Sequence, residues 1–339
     1  MEYRAMYSQD RSLLKNEIPL NSPYVMHLEL TSHCNIQCEY CIHALDREEI
    51  IQRKYVFGTM GEDILERIYS GLREFEVPVK KIVLGGVGEP TLHKNLSDIT
   101  ANIKTSSPST KVGIITNGLL LSPKLSNELI NAGLDEVKIS LQGLNSEDYL
   151  ARCGAKIDFD EFMSNLKYLY DSKGKYMKIF VKIPSNYLTH ESEQKFFSLF
   201  NGHCDYASIE KLGNIFDFDE ERARDLSLNT HDRFGMGKIS IPNVCAIIFF
   251  RINVFCDGAI SLCNGKRNGA FTLPKEMFLN SSLNEIWESD ARKSFLLTVL
   301  KGASGDIPAL CRDCFCRTTF SFDSDYIDDC ADEILERIQ

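Results

Sequence analysis

Six short apolar runs, separated by helix-like stretches between residues 25 and 215, constrain this chain more than any other feature. They occupy about 25–30, then 80–86 (KKIVLGG), 111–118 (KVGIITNG), 135–143 (DEVKISLQG), 175–184 (KYMKIFVKIP) and 206–212 (YASIEKL). NLSDITANIKTSS, SPKLSNELINAG, DEFMSNLKYLYDSKG and SEQKFFSLF carry helical patterns between them. SPKLSNELINAG opens on Ser and closes on Gly, a start and a stop signal. Strand and helix in alternation describe βαβ units and a parallel sheet. Six units fall two short of a closed eight-fold barrel, so the expectation is an α/β fold, an open partial (β/α)6 barrel over 25–215. Residues 1–24 form an N-terminal extension.

From about 215 the character changes. DFDEERARDLSLNTHDRFGMGK is polar and aperiodic, which predicts a linker or lid over 216–240. The remainder, 241–339, is rich in cysteine and is expected to form a small second domain. A chain of 339 residues with 43% hydrophobic content has ample material for a full core. No apolar run reaches the roughly 18 residues of a membrane-spanning helix. The first twenty residues lack the apolar segment of a signal peptide. A net charge of -10 argues against a nucleic-acid backbone as partner. The expectation is a cytosolic protein that binds neither membrane nor nucleic acid.

Twelve cysteines in a chain without an export signal point to metal rather than to disulfides. They cluster, with three at 34–41, three at 245–263 and four at 311–330; Cys153 and Cys204 stand alone. Cys204 reads as a small buried hydrophobe. CNIQCEYC (34–41) follows the first strand, at the end of a βα barrel where active sites are built. Cys34, Cys38 and Cys41 are one thiol short of a closed tetrahedral site. They can hold three irons of a four-iron cluster and leave the fourth open. With His33 and His43 close by, zinc stays open on the loop alone.

The loop resembles the defining motif of the radical S-adenosylmethionine superfamily, C-x3-C-x-Φ-C, with Tyr40 in the aromatic position. The resemblance implies a 4Fe-4S cluster on the three cysteines, with S-adenosylmethionine on the open iron. It implies reductive cleavage to a 5′-deoxyadenosyl radical that abstracts hydrogen from an unactivated C–H bond. Later strand ends extend the likeness over about 25–215. GGVGEPTLH (85–93) resembles the GGE motif that receives the methionine amino group, here with an extra residue pair, which points to Gly86, Gly88 and Glu89. TNG (116–118) and ISLQG (139–143) supply Asn117, Ser140 and Gln142 for the ribose and methionine carboxylate, although many relatives have Asp where Gln142 stands. Arg152 and Lys182 are further candidates for the carboxylate or for substrate anions.

The C-terminal part resembles the SPASM and twitch extensions of the same superfamily. CAIIFFRINVFCDGAISLC (245–263), a helix in SLNEIWESDARKSF around Trp287, and CRDCFC (311–316) keep the family order. The two further positions of a full SPASM domain hold Phe320 and Ser324. The resemblance therefore implies one auxiliary 4Fe-4S cluster on Cys245, Cys263, Cys311 and Cys314. Zinc is the simpler occupant of such a site. Cys256, Cys316 and Cys330 remain, as buried thiols or as ligands of a second, irregular cluster.

An auxiliary cluster can accept the electron that turns a ketyl radical into a ketone. Only 33 residues precede Cys34, too few for the winged-helix leader-binding domain of peptide-acting relatives. The expectation is a radical oxidoreductase of a small polyol, sugar or aminocyclitol, with a flavodoxin or ferredoxin as reductant. The alternatives are an epimerase returning hydrogen from Cys153 beside Arg152, a peptide or protein maturase, or a metal scaffold without catalysis. No catalytic base is identifiable from spacing alone.

Overall fold

The computed structural model describes residues 1–3, 11–53, 55–216, 218–228, 241–263, 271–312, 314, 316–317 and 322–339. Its centre is a run of parallel strands: β1 (Glu2–Tyr3), β2 (Val25–Leu28), β3 (Lys81–Leu84), β4 (Lys111–Thr116), β5 (Glu136–Ser140), β6 (Lys178–Pro184), β7 (Tyr206–Glu210) and β8 (Arg251–Val254). The spatial order is β1-β7-β6-β5-β4-β3-β2-β8, followed by the antiparallel β9 (Ile260–Ser261) and β10 (Thr272–Leu273). β2 to β7 are the six strands expected from the apolar runs, and the sheet they form does not close on itself.

Helices fill the crossovers. α1 (Arg47–Gln52) and α2 (Glu62–Glu74) precede β3; α3 (Leu96–Ser106) and α4 (Pro123–Asn131) flank β4; α5 (Ser146–Cys153) and α6 (Phe159–Ser172) follow β5; α7 (His190–Phe200) follows β6. Local chemistry sets their ends. The Ser122 side chain accepts the N–H of Leu125, and the chain leaves α4 through Gly133 at φ +82°. Asn145 caps α5 by accepting the N–H of Asp148 at 2.8 Å. α2 buries Ile64, Leu65, Ile68 and Leu72 along one stripe, which packs on α3.

The strands alternate. Ile179, Val181 and Ile183 of β6, and Val137 and Ile139 of β5, join the apolar core. The residues between them, Lys178, Phe180 and Lys182 and also Glu136, Lys138 and Ser140, therefore turn to the barrel interior. This partly polar interior is unusual for a parallel sheet, whose strands are more often apolar on both faces.

The cysteine-rich segment shares this sheet. β8 pairs in parallel with β2, Val25 opposite Arg251 and Leu28 opposite Val254, and the two parts contribute to one continuous core. α8 (Glu220–Asp225) lies in the stretch expected to be a linker, of which residues 229–240 fall outside the described residues. α9 (Ile247–Phe250) leads into β8, and α10 (Lys275–Asn280), α11 (Leu283–Trp287), α12 (Asp290–Leu300) and α13 (Ala331–Ile338) complete the chain. Where one helix was expected around Trp287 there are two. Ser289 interrupts it, because its hydroxyl accepts the N–H of Arg292 and starts a second helix. The indole N–H of Trp287 donates to the carbonyl of Leu20 at 2.8 Å, tying this part to the N-terminal extension.

Candidate active site

The loop after β2 places Cys34, Cys38 and Cys41 at the C-terminal ends of the strands. α5 holds it from behind: the N–H groups of Gln37 and Glu39 donate to the carbonyls of Cys153 and Arg152, at 3.0 and 3.1 Å. Cys38 packs with Ile36, Tyr149 and Cys153 in a small cluster of its own. Burial pushes the Cys34 thiol up and carries Cys41 to about 12, and it raises Cys38 well above the ordinary thiol range with help from the neighbouring sulfurs. Buried thiols that oppose each other's ionisation form a site that a bound cation relieves. No three His, Cys, Asp or Glu side chains among the described residues converge on a position for one metal ion. The fit to an iron–sulfur cluster therefore rests on donor type and charge.

The GGVGEP turn packs directly on this loop. A methyl carbon at Gly88 would lie 2.2 Å from the carbonyl oxygen of Thr31 and 2.6 Å from that of His33, so only glycine fits there. One at Gly86 would meet the Glu29 side chain at 3.1 Å. Glu89 is 3% exposed. Its N–H donates to the His33 carbonyl, and its carboxylate accepts from Thr91, Thr116 and the N–H of Asn117. Asn117 in turn donates to Asn35 in the cysteine loop at 2.7 Å. Three of the expected segments thus meet through one hydrogen-bonded chain.

Tyr40 and Gln142 also meet, the phenol donating to Gln142 Oε1 at 3.0 Å. Gln142 is buried and donates to the carbonyl of Ser140. Tyr40, Ser140 and Lys182 line one recess with Glu210 and Phe216. Arg152 and Cys153 stand elsewhere. The Arg152 guanidinium covers the Tyr187 ring at 4.0 Å and donates to the Tyr187 carbonyl. The Cys153 thiol is buried and donates to the carbonyl of Tyr149 at 3.0 Å. Both sit behind the cysteine loop rather than in the recess. Of His33 and His43, the first stacks on Phe57. Burial lowers the pKa of the second.

A second recess is lined by Cys245, Cys263, Cys311 and Cys314, together with Cys316 and apolar groups such as Ile247, Ile248 and Val299. Burial pushes the Cys245 thiol up, and Cys263, Cys314 and Cys311 add to the effect. The Arg317 guanidinium holds the loop by donating to the carbonyls of Cys311 and Pro242, each at 2.8 Å. Cys256 and Cys330 lie outside this recess. Cys256 is the sulfur nearest Gly58, and the Cys330 thiol points to the carbonyl of Ile327. Cys204 is buried in the main core.

Glu210, Tyr187 and Asn35 were missed from sequence. The one available signal was the alternation in YASIE, which puts Tyr206, Ser208 and Glu210 on one face and leaves a carboxylate at a strand end.

The open barrel of parallel strands, with a three-cysteine loop at its C-terminal face, defines the class, and comparison with known proteins agrees. The profile described as "Radical SAM superfamily" matches residues 28–197, half of the 339-residue chain. The chain belongs to the radical SAM superfamily, membership of which implies S-adenosylmethionine and a 4Fe-4S cluster.

Among curated relatives, it is 33% identical over 131 residues to the "tungsten-containing aldehyde ferredoxin oxidoreductase cofactor-modifying protein" of Pyrococcus furiosus, covering 38% of this chain and 33% of that protein. It is 38% identical over 122 residues to a probable GTP 3′,8-cyclase of Methanococcus maripaludis, covering 36% of this chain and 37% of that one. The chain thus spans about a third of the length of these relatives. Among solved structures, SuiB of Streptococcus suis bound to S-adenosylmethionine aligns over 94% of this chain and 79% of its own, with TM-score 0.61 and 15% identity. BtrN in complex with AdoMet and 2-DOIA aligns over 84% and 90%, with TM-score 0.51 and 19% identity. At such identities the likeness is one of fold. No described helix is long and apolar enough to cross a membrane.

Proposed function

We propose that this protein is a radical SAM dehydrogenase of a small polyol, sugar or aminocyclitol, with one auxiliary iron–sulfur cluster. The observation that carries the reading is the second recess, where Cys245, Cys263, Cys311 and Cys314 come together from distant parts of the chain. Four thiolates without an open position suit electron transfer better than activation of a ligand. When bound, the first cluster with S-adenosylmethionine supplies the hydrogen-abstracting radical, and the second supplies a one-electron acceptor.

The chain's own residues have defined tasks in this reading. Cys34, Cys38 and Cys41 ligate the first cluster. Gly86 and Gly88 let the backbone approach the methionine end of the cosubstrate, while Glu89 stiffens that edge by joining it to the TNG turn. Asn117, Ser140, Gln142 and Lys182 line the face toward the nucleoside and carboxylate, and Tyr40 closes the site over the loop. A flavodoxin or ferredoxin supplies electrons.

The test is anaerobic reconstitution, dithionite reduction with S-adenosylmethionine, and assay of 5′-deoxyadenosine against a panel of polyols and aminocyclitols. About eight irons and a ketone product support the reading. About twelve irons, with activity on a precursor peptide only, favour a maturase. That second reading draws on the fold likeness to SuiB, which was solved with the precursor peptide SuiA at TM-score 0.59. Turnover of GTP alone would move the chain toward the cyclases among its relatives. Zinc without deoxyadenosine would leave a scaffold.

A further inference from the structure

The recess of the C-terminal cysteines contains a cation whose charge is not needed to anchor the loop. Arg317 lines it beside Cys245, Cys263, Cys311 and Cys314 and is 9% exposed. Its Nε donates to the carbonyl of Cys311 and its Nη1 to that of Pro242, each at 2.8 Å, and its Nη2 reaches the carbonyl of Arg312. The guanidinium thus spans two separate stretches, one carrying Cys311 and one leading into Cys245. Three carbonyls fix its plane against the sulfurs.

Neutral donors can hold carbonyl oxygens, and burying a guanidinium costs more desolvation than burying an amide. The guanidinium also keeps its proton at any working pH. Among the described residues that line the recess, Arg317 carries the only permanent charge; the rest are five thiols and apolar groups such as Ile247, Ile248 and Val299. Asp328 is not part of that lining, and its carboxylate accepts the N–H groups of Asn243 and Val244 at 2.7 and 2.9 Å. Apolar walls keep the local dielectric low, so the charge acts on the sulfurs more strongly than it would in water. A four-iron cluster on four thiolates is an anion, and reduction adds one more negative charge. A fixed cation at its edge favours the reduced form, because net charge and burial are the levers a protein has on such a potential.

We propose that Arg317 raises the potential of the auxiliary cluster and so makes it a readier acceptor for the electron that leaves the substrate. Arg317 acts through the cluster and touches no substrate. The proposal rests on the auxiliary-cluster reading above and deepens it.

The test is the midpoint potential of the second cluster in the reconstituted holoenzyme, measured by protein-film voltammetry and by electron paramagnetic resonance at poised potentials. The signal that S-adenosylmethionine leaves unchanged belongs to the second cluster. Wild type is compared with Arg317→Gln, which keeps an N–H₂ donor and loses the charge, and with Arg317→Lys, which keeps the charge and loses the planar fork. Iron content and the visible spectrum report loading. In Arg317→Gln the equilibrium constant for reduction should fall tenfold or more, about 59 mV downward for one electron. Arg317→Lys should stay within about threefold of wild type, and the first cluster should not move in either. If Arg317→Gln sheds the second cluster while Arg317→Lys holds it at the wild-type potential, the charge is what the anion requires and the proposal stands. If Arg317→Gln keeps the wild-type potential, if Arg317→Lys shifts tenfold, or if both lose the cluster, clamping the loop is the whole role of Arg317 and the proposal is overturned. A wild type that takes up only about four irons, or zinc in the second recess, lacks the auxiliary cluster; the reading above then falls and the proposal with it.

Discussion

Glu89 Oε2 accepts the backbone N–H of Asn117 at 2.7 Å. The other oxygen of the same carboxylate takes the hydroxyls of Thr116 and Thr91, both at 2.6 Å. With its own N–H on the carbonyl of His33, Glu89 joins the ends of β3 and β4 to the cysteine loop. A charged acceptor, buried and satisfied by several donors, is worth more than a neutral one, and removing it strands every donor it served. Glu89→Gln puts an amide N–H₂ against those donors. It should destabilise the apo-protein by about 2–3 kcal/mol and weaken S-adenosylmethionine binding in parallel. Denaturant unfolding together with equilibrium dialysis checks both, and an unchanged midpoint would show that the network is not holding the edge.

Gly88→Ala tests the contact between the two loops. The added carbon would meet two backbone carbonyl oxygens inside 3.0 Å, and neither can rotate away as a side chain would. The cysteine loop must move. The expected outcome is loss of about half the iron and at least a tenfold fall in S-adenosylmethionine cleavage. Gly174→Ala, where nothing lies within 4 Å, is the control and should change neither. Equal iron in the two variants would mean that the loops yield independently.

The contrast between these two glycines shows what can be read from a sequence. Motif glycines and cysteines are local signals, so CNIQCEYC, GGVGEP and TNG were legible together with the six apolar runs. Contacts between distant segments were not. Nothing in RINV (251–254) announces that it pairs beside Val25–Leu28, because strand pairing depends on the whole sheet. Glu210 and Lys138 were passed over for a related reason. An apolar run marks a strand, but the chemistry here lies in the alternate residues that interrupt the run.

Lys138 is 5% exposed inside the barrel, 3.4 Å from Glu136, which also holds Lys81. Burial first, then the Lys81 charge, pull its pKa down to about 7 despite Glu136. An unfolded lysine titrates near 10.4, so between about pH 7 and 10 the unfolded chain holds a proton that the folded chain has lost. Lys138 therefore makes stability rise with pH over that window, and below about pH 7 its full cost is present. Lys138→Met should stabilise the protein by about 1–3 kcal/mol at pH 7, Lys81 still pairing Glu136, with the gain shrinking toward pH 10. Buried thiols act in the opposite sense over the same range, so the quantity to measure is the difference in denaturation midpoint between wild type and variant. A difference that stays constant from pH 7 to 9 would contradict the lowered pKa.

Five cysteines line a recess for which the proposed cluster needs four, and the fifth is not idle. The Cys316 thiol is 4% exposed and hydrogen-bonds Cys314, the contact that chiefly raises its pKa. A thiol already against a ligand sulfur is placed to take over its iron. Cys263 lines the same recess from the far end of the strand pair β8–β9. On the one-cluster reading, Cys316→Ala should leave the iron content near the wild-type value. Cys263→Ala should lose about four irons, whereas Cys314→Ala should keep most of them with an altered electron paramagnetic resonance signal. Iron analysis and spectra of the three variants, reconstituted side by side, decide the matter. If Cys314→Ala loses as much iron as Cys263→Ala, Cys316 does not reach the cluster and its hydrogen bond is its whole role. If Cys316→Ala itself loses the cluster, the ligand set is the four thiols that include Cys316, and the twitch-like spacing misassigns one of them.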